Sequence, residues 1–430
     1  MNILFLILLF FPVVCYPILV LTLPVSQSLH HSAIVPLVSA LIVFFLKFFK
    51  IFELEFPVSK RSSPSKIYSV CILFLLGFSI YFFQLRTSIE PLGMWDAWAM
   101  WSPKTKYLVS QFFAGEKIDL DLREWPHPDY PLGYPLFASF FGILSGKWSP
   151  IIQVYASFYF YFLGFYFFIR MRRSLWISAL VLLIYCTFFK WIMLSTDLCA
   201  DLPLSVYFSF CFYFLIERIG IDRLKFRTQR VAFGFFFGAL SFWKNEGFVL
   251  ALVLFAAFSI QLYEIEGKNC YRKLSFFALG FLSAVCFVLF QKLNSPSALP
   301  NDFIQNEDVL SSILKLGTRL TSIDRWNIVM AEKIRFQLRL AHGFYILIFA
   351  YSFIFGKKEV RFGVILLLLL SLLYDLFFVI TNADLQWHLE TAYDRIHFHF
   401  FLPSLICLSL ASEDEGKMTE NPPKFQNEAV

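Results

Sequence analysis

One acid, Asp96, stands among three tryptophans in Pro91-Leu-Gly-Met-Trp-Asp-Ala-Trp-Ala-Met-Trp-Ser-Pro-Lys-Thr-Lys-Tyr107, with Lys104 and Lys106 behind it. A carboxylate suits proton abstraction from a hydroxyl, and partial burial moves its pKa toward the working range. The two lysines would then meet an anionic headgroup. The competing reading is an interfacial helix in which Trp95, Trp98 and Trp101 share a face and Asp96 is the N-cap. Ser102-Pro103 reads as N-cap and first residue of a second helix, since proline is favoured at that position.

Four further stretches carry chemistry. Trp125-Pro-His-Pro-Asp-Tyr-Pro-Leu-Gly-Tyr-Pro135 fixes an extended, rigid path that presents His127, Asp129 and Tyr130. Asp197 and Asp201, four residues apart, would share a helical face, where two carboxylates hold a cation or repel each other; they could equally cap the helix that Pro203 begins. Lys244-Asn-Glu-Gly247 interrupts an apolar run from Val231 to Tyr263. Ionisable groups at that depth cost about 2.5–3.5 kcal/mol each, so Lys244 and Glu246 pair or line a cavity. Asp394-Arg395 precedes the last apolar run, and an arginine fork matches a phosphate, although Arg395 could instead snorkel to the interface. His397 and His399 are two apart on a predicted helix and face differently, which argues against joint chelation.

The elements that must position these residues are membrane helices. Of 430 residues, 58% are hydrophobic and only 16% charged, and apolar runs of spanning length recur along the chain. The sequence predicts an all-α polytopic membrane protein with about 12 transmembrane helices. They are drawn at 2–23, 33–52, 67–85, 150–169, 174–193, 201–216, 231–243, 247–263, 274–293, 342–356, 360–381 and 396–411. The first is read as a retained span, because no positive region or small-residue cleavage site accompanies it. Residues 1–411 form one transmembrane domain, and the polar, acidic tail 412–430 is expected to be disordered. No basic tract suits nucleic acid, and the eight cysteines show no Cys-x-x-Cys pair.

Basic residues set the expected orientation. Those at 47–66, Arg170–Arg173, Arg218–Arg230, Lys268–Lys273 and Lys357–Arg361 all fall on one side, which the positive-inside rule makes the cytoplasm. Both termini then lie inside. The outer side receives 86–149, 194–200, 244–246, 294–341 and 382–395, and so every candidate residue named above except Asp201, which opens the span 201–216, and the two histidines beyond Arg395. Within 294–341, Asp324 to Leu340 reads as an amphipathic surface helix.

The sequence resembles the GT-C class of integral-membrane glycosyltransferases, close to the protein O-mannosyltransferase and aminoarabinose-transferase group. The likeness rests on Trp95-Asp96-Ala-Trp98, Lys104-Thr-Lys106, His127-Pro-Asp-Tyr-Pro131, Asp201-Leu-Pro203, Lys244-Asn-Glu-Gly247 and Asp394-Arg395 ahead of Pro403. It implies a first outer loop of short interfacial helices and a polyprenyl-phosphate-linked sugar as donor. A glycan, lipid or protein acceptor would attack the anomeric carbon with inversion. The resemblance makes Asp96 the base, Lys244 and Arg395 phosphate contacts, and Lys104 a lesser one. It also implies the inner membrane of a bacterium. Many relatives carry two adjacent acids where this chain has Asp96-Ala97, which leaves Asp129 and Glu246 to assist. A divalent metal could contribute; the sequence alone does not decide it. A transporter or flippase of lipid-linked glycans, or a polymerase or ligase, is the alternative.

Overall fold

A computed structural model describes residues 9–17, 66–114, 125–171, 175–218, 226–294, 309–341 and 343–412. The described residues are all-helical. After α1 (Lys66–Ile89), a π-helical turn (Ala97–Trp101) leads into α2 (Ser102–Ala114). Then follow α3 (Gly133–Ser145), α4 (Ile151–Arg170), α5 (Leu175–Thr187), α6 (Phe189–Thr196) and α7 (Asp201–Ile216). The next helices are α8 (Arg227–Gly238), α9 (Asn245–Glu266), α10 (Cys270–Asn294), α11 (Val309–Thr321) and α12 (Ile323–Arg335). The last are α13 (Phe344–Phe355), α14 (Lys358–Ile380), α15 (Leu385–His397) and α16 (Phe401–Ala411).

The expectation of about 12 transmembrane helices in a GT-C-like arrangement is overturned. Among the described residues, only four helical stretches are long and apolar enough to cross a membrane: Tyr68–Ile89, Ile151–Arg170, Asn245–Asn294 and Lys358–Ile380. The count rises to six at most if each of two bent pairs is one span. Apolar length proved a poor guide to straight helix length. The run 174–193 is α5 and α6, bent by 56° at Phe188, and α12 with its continuation meets α13 at 85°. The run 201–216 is the 16-residue α7, which at 1.5 Å per residue falls short of a hydrocarbon core of about 30 Å. The run 396–411 is a 3-10 turn followed by the 11 residues of α16. The predicted span 33–52 and the tail from residue 413 lie outside the described residues, and 2–23 is described only at 9–17.

The protein nonetheless carries several long apolar helices, as a multi-pass membrane protein does. Their outer faces leave large apolar side chains uncovered, with Leu73 68%, Phe74 71% and Leu347 69% exposed. Such surface is stable against lipid rather than water. The stretch Asn245–Asn294 turns back at Gly267 (φ 55°), where L residues are strained, and its arms meet through Phe258 and Phe277, with ring centroids 4.2 Å apart.

Helix α7 is the hub. Every one of its residues is buried, and α4, α9, α14 and α16 pack around it. The two ends of α7 differ in chemistry. Its C-terminal end carries Arg218, which pairs with Glu359 at 3.1 Å and so joins two of the basic links. Its N-terminal end begins at Asp201, where the candidate residues collect.

Helix α12 does not float on a surface. Arg325 donates from Nε to the Val379 carbonyl at 2.6 Å and from a terminal nitrogen to that of Thr381 at 3.0 Å, and Lys333 pairs with Asp375. The helix is thereby tied to α14, while Ile328 and Ile334 remain exposed.

Candidate functional site

Two breaks in the helices build the site. A 3-10 turn (Ala239–Phe242) ends α8, and Lys244, in extended conformation, starts α9. Gly247 makes that sharp entry feasible: a Cβ there would lie 2.1 Å from the Leu240 carbonyl oxygen. The second break is the loop 197–200 between α6 and α7. It brings Asp201 to Lys244, whose Nζ lies 3.0 Å from Asp201 and 3.1 Å from Glu246. His399 Nε2 lies 3.0 Å from the same Asp201 oxygen, and the Cys199 thiol donates to the other at 3.2 Å. Burial works against the charge on Lys244, but Asp201 and Glu246 outweigh it and hold the ammonium above the ordinary lysine range.

A cavity of about 400 Å³ adjoins this network. Its wall presents the polar side chains of Asp129, Asn245, Glu246, Lys292 and His388. Along its length it presents Phe248, Val285, Val288, Leu289 and Phe377, from α9, α10 and α14. Phe248 and Leu289 are exposed, so the apolar side opens outward. Asp129, Asn245 and Lys292 are joined by a short chain of hydrogen bonds. Asn245 Nδ2 donates to Asp129 at 2.7 Å, and Lys292 Nζ donates to the Asp129 carbonyl at 2.7 Å and to Asn245 at 2.9 Å. An ammonium has three donors, so Lys292 keeps one for a ligand. The arrangement fits an amphiphile with an apolar chain and an anionic, hydroxylated head.

The expected residues divide into three groups. Asp129, Tyr130 and Glu246 line the cavity, and Lys244 and Asp201 stand directly behind it. Asp96 and Arg395 pair with each other across 299 positions of sequence, outside the cavity wall. Asp96 is therefore not a helix cap, as its side chain makes no cap bond. Nor do the three tryptophans share a face. The segment is π-helical, with more residues per turn than the spacing needs, so Trp95 and Trp98 are exposed while Trp101 is buried against Tyr130.

The third group lies elsewhere. Lys104 is buried and donates to the His127 carbonyl at 2.7 Å, so it braces the proline-rich loop; burial pushes its pKa down to about 8, opposed by Asp129. His127 takes a left-handed backbone (φ 49°) and sets its ring against Tyr130. Lys106 lies over the Trp148 ring at 5.5 Å. Asp394 faces away from its neighbour Arg395, with Lys190 at 3.7 Å. Asp197 and Asp201 are not on one helix, because Leu198 turns the chain with φ 57° between them. Burial raises the Asp197 carboxyl to about 7, against the pull of Arg86 and Arg395, and its Oδ1 has no hydrogen-bond partner among the described residues.

Sequence reasoning passed over Lys292, His388, Asp375 and the role of His399. Lys292 reads as an ordinary span-end cation, and nothing local marks it as a cavity residue. Asp375 is buried within α14 and accepts from Tyr393 at 2.7 Å as well as from Lys333, a tie that fixes α15. Among the described residues no group of three or more His, Cys, Asp or Glu is placed to hold a metal ion. No protein-family model matches the chain, and neither a curated protein nor a solved structure is similar to it.

Proposed function

We propose that this protein transfers a sugar from a polyprenyl-phosphate-linked donor to a glycan, lipid or protein acceptor at the outer face of a membrane, with inversion. The observation that carries the reading is the amphipathic cavity, whose wall joins exposed apolar side chains to Lys292, Asn245, Asp129 and Glu246. The prenyl chain would lie along Val285, Val288 and Leu289, with its phosphate at Lys292 and the sugar hydroxyls against Asp129 and Glu246. Arg395 is a second cation for the leaving phosphate, held by Asp96 until it is needed. Displacement at an anomeric carbon requires a base and a stabilised leaving group, and both kinds of side chain stand here.

The outer-face assignment draws on charge. Arg218 and the start of α14 at Lys358 lie at the opposite end of α7 from the cavity, and by the positive-inside rule the basic residues of the sequence there favour a cytoplasmic side, as in a bacterial inner membrane. The resemblance to GT-C enzymes points to the same donor class through the individual motifs. A polymerase or ligase would lean on the arginines of 294–341, but Arg319 and Arg325 are engaged with carbonyls at the C-terminal end of α14. The test is to supply purified protein with a panel of polyprenyl-phosphate sugars and acceptors. Release of polyprenyl phosphate with glycosylated product is expected. A folded protein that turns over no donor would shift the reading to transport.

A further inference from the structure

We infer that Glu246, rather than Asp96, takes the acceptor's proton; the assignment rests on the transfer reaction proposed above. Glu246 lies on the cavity wall, and Asp96 does not. One Glu246 oxygen is 3.1 Å from Lys244, and the other is buried with no hydrogen-bond partner among the described residues. Asp129, the other acid of the wall, accepts from Asn245 at 2.7 Å through one of its oxygens.

Charge counting gives the same answer. Lys244 sets one ammonium against two carboxylates, Asp201 and Glu246. A proton added to Glu246 leaves Lys244 and Asp201 as a balanced pair, which His399 still supports at 3.0 Å. A proton added to Asp96 would instead strip Arg395 of its direct partner.

In the step itself, the acceptor oxygen bonds to the anomeric carbon while the carbon–oxygen bond to phosphate breaks. The electron pair leaves on the phosphate, opposite Lys292, and the acceptor's proton passes to the Glu246 carboxylate. The products are the glycosylated acceptor and polyprenyl phosphate, and Glu246 later returns its proton to water.

The experiment uses the full-length protein and whichever polyprenyl-phosphate sugar the wild type turns over. It measures kcat, donor KM and retention of labelled donor for wild type, Glu246→Gln, Glu246→Asp and Asp96→Asn. Glu246→Gln is expected to lower kcat by about 10²–10⁴-fold with donor KM little changed, the size of a lost general base. Glu246→Asp keeps the charge on Lys244 and is expected to fall between it and wild type, so a misfolded glutamine variant does not block the test. Asp96→Asn is expected to act mainly on donor KM through Arg395. Undiminished kcat in both Glu246 variants, or a larger kcat loss in Asp96→Asn, overturns the assignment while the transfer reading stands. A wild type that turns over no donor removes both.

Discussion

Asp96 and Glu246 are two carboxylates beside two cations, yet their settings differ. Asp96 pairs directly with Arg395, which Asp201 also attracts, and its side chain is 21% exposed. Glu246 is the second acid on a single ammonium, it lines the cavity, and its other oxygen is buried without a hydrogen-bond partner among the described residues. The first arrangement holds a guanidinium in place; the second leaves one carboxylate oxygen without a partner among the described residues. An acid's neighbours, not its position in a prominent loop, decide which task it can do.

The strongest way to break this comparison is to remove Lys244. Asp201 would keep a buried charge with its ammonium gone, which costs about 3–5 kcal/mol. Thermal unfolding in detergent should fall further for Lys244→Ala than for Arg395→Ala, because the Asp96 left behind by the latter is 21% exposed and the Asp201 side chain only 1%. Equal losses would mean that the two pairs are equivalent.

Lys292→Ala sharpens the comparison from the donor side. Loss of a charged hydrogen-bond donor to phosphate is expected to cost about 1.5–3 kcal/mol of donor binding, read as a roughly 10–100-fold rise in donor Kd. Arg395→Ala should cost less in binding if the cavity is the donor site.

The smallest effect concerns Asp197, which neighbours the Arg395 side of the network. Burial raises its carboxyl from 3.8 to about 7, so between these values the folded protein binds a proton that the unfolded chain has released. Stability from this group is therefore greatest at low pH, falls as pH rises from about 4 to 7, and is level above. Asp197→Asn is expected to flatten that part of the curve of Tm against pH. An unchanged slope would show that another group titrates there.

The sequence made some of this legible and hid the rest for physical reasons. Lys244-Asn-Glu-Gly247 was readable as a paired or cavity-lining interruption, because charges are costly inside an apolar run, and both lysine and glutamate are found so placed. The joining of Asp201 to Lys244, 43 residues apart, was not readable, since it depends on how α7 and α9 start side by side. The helix count failed because hydropathy does not register bends: Phe188 breaks one apolar run, and α7 is apolar because protein surrounds it on every side. The tryptophan spacing misled in the same way, as a three-residue repeat keeps to one face on a tighter helix and drifts around a π-helix, which this segment is. Lys104 looked like a headgroup contact and is a buried brace, a distinction that only burial reveals.

The most direct test is a single-turnover comparison with donor already bound. With saturating acceptor, the transfer rate of Glu246→Gln is predicted to be at least about 100-fold below that of Asp96→Asn. Transfer by Glu246→Gln as fast as by Asp96→Asn, or faster, would contradict the account.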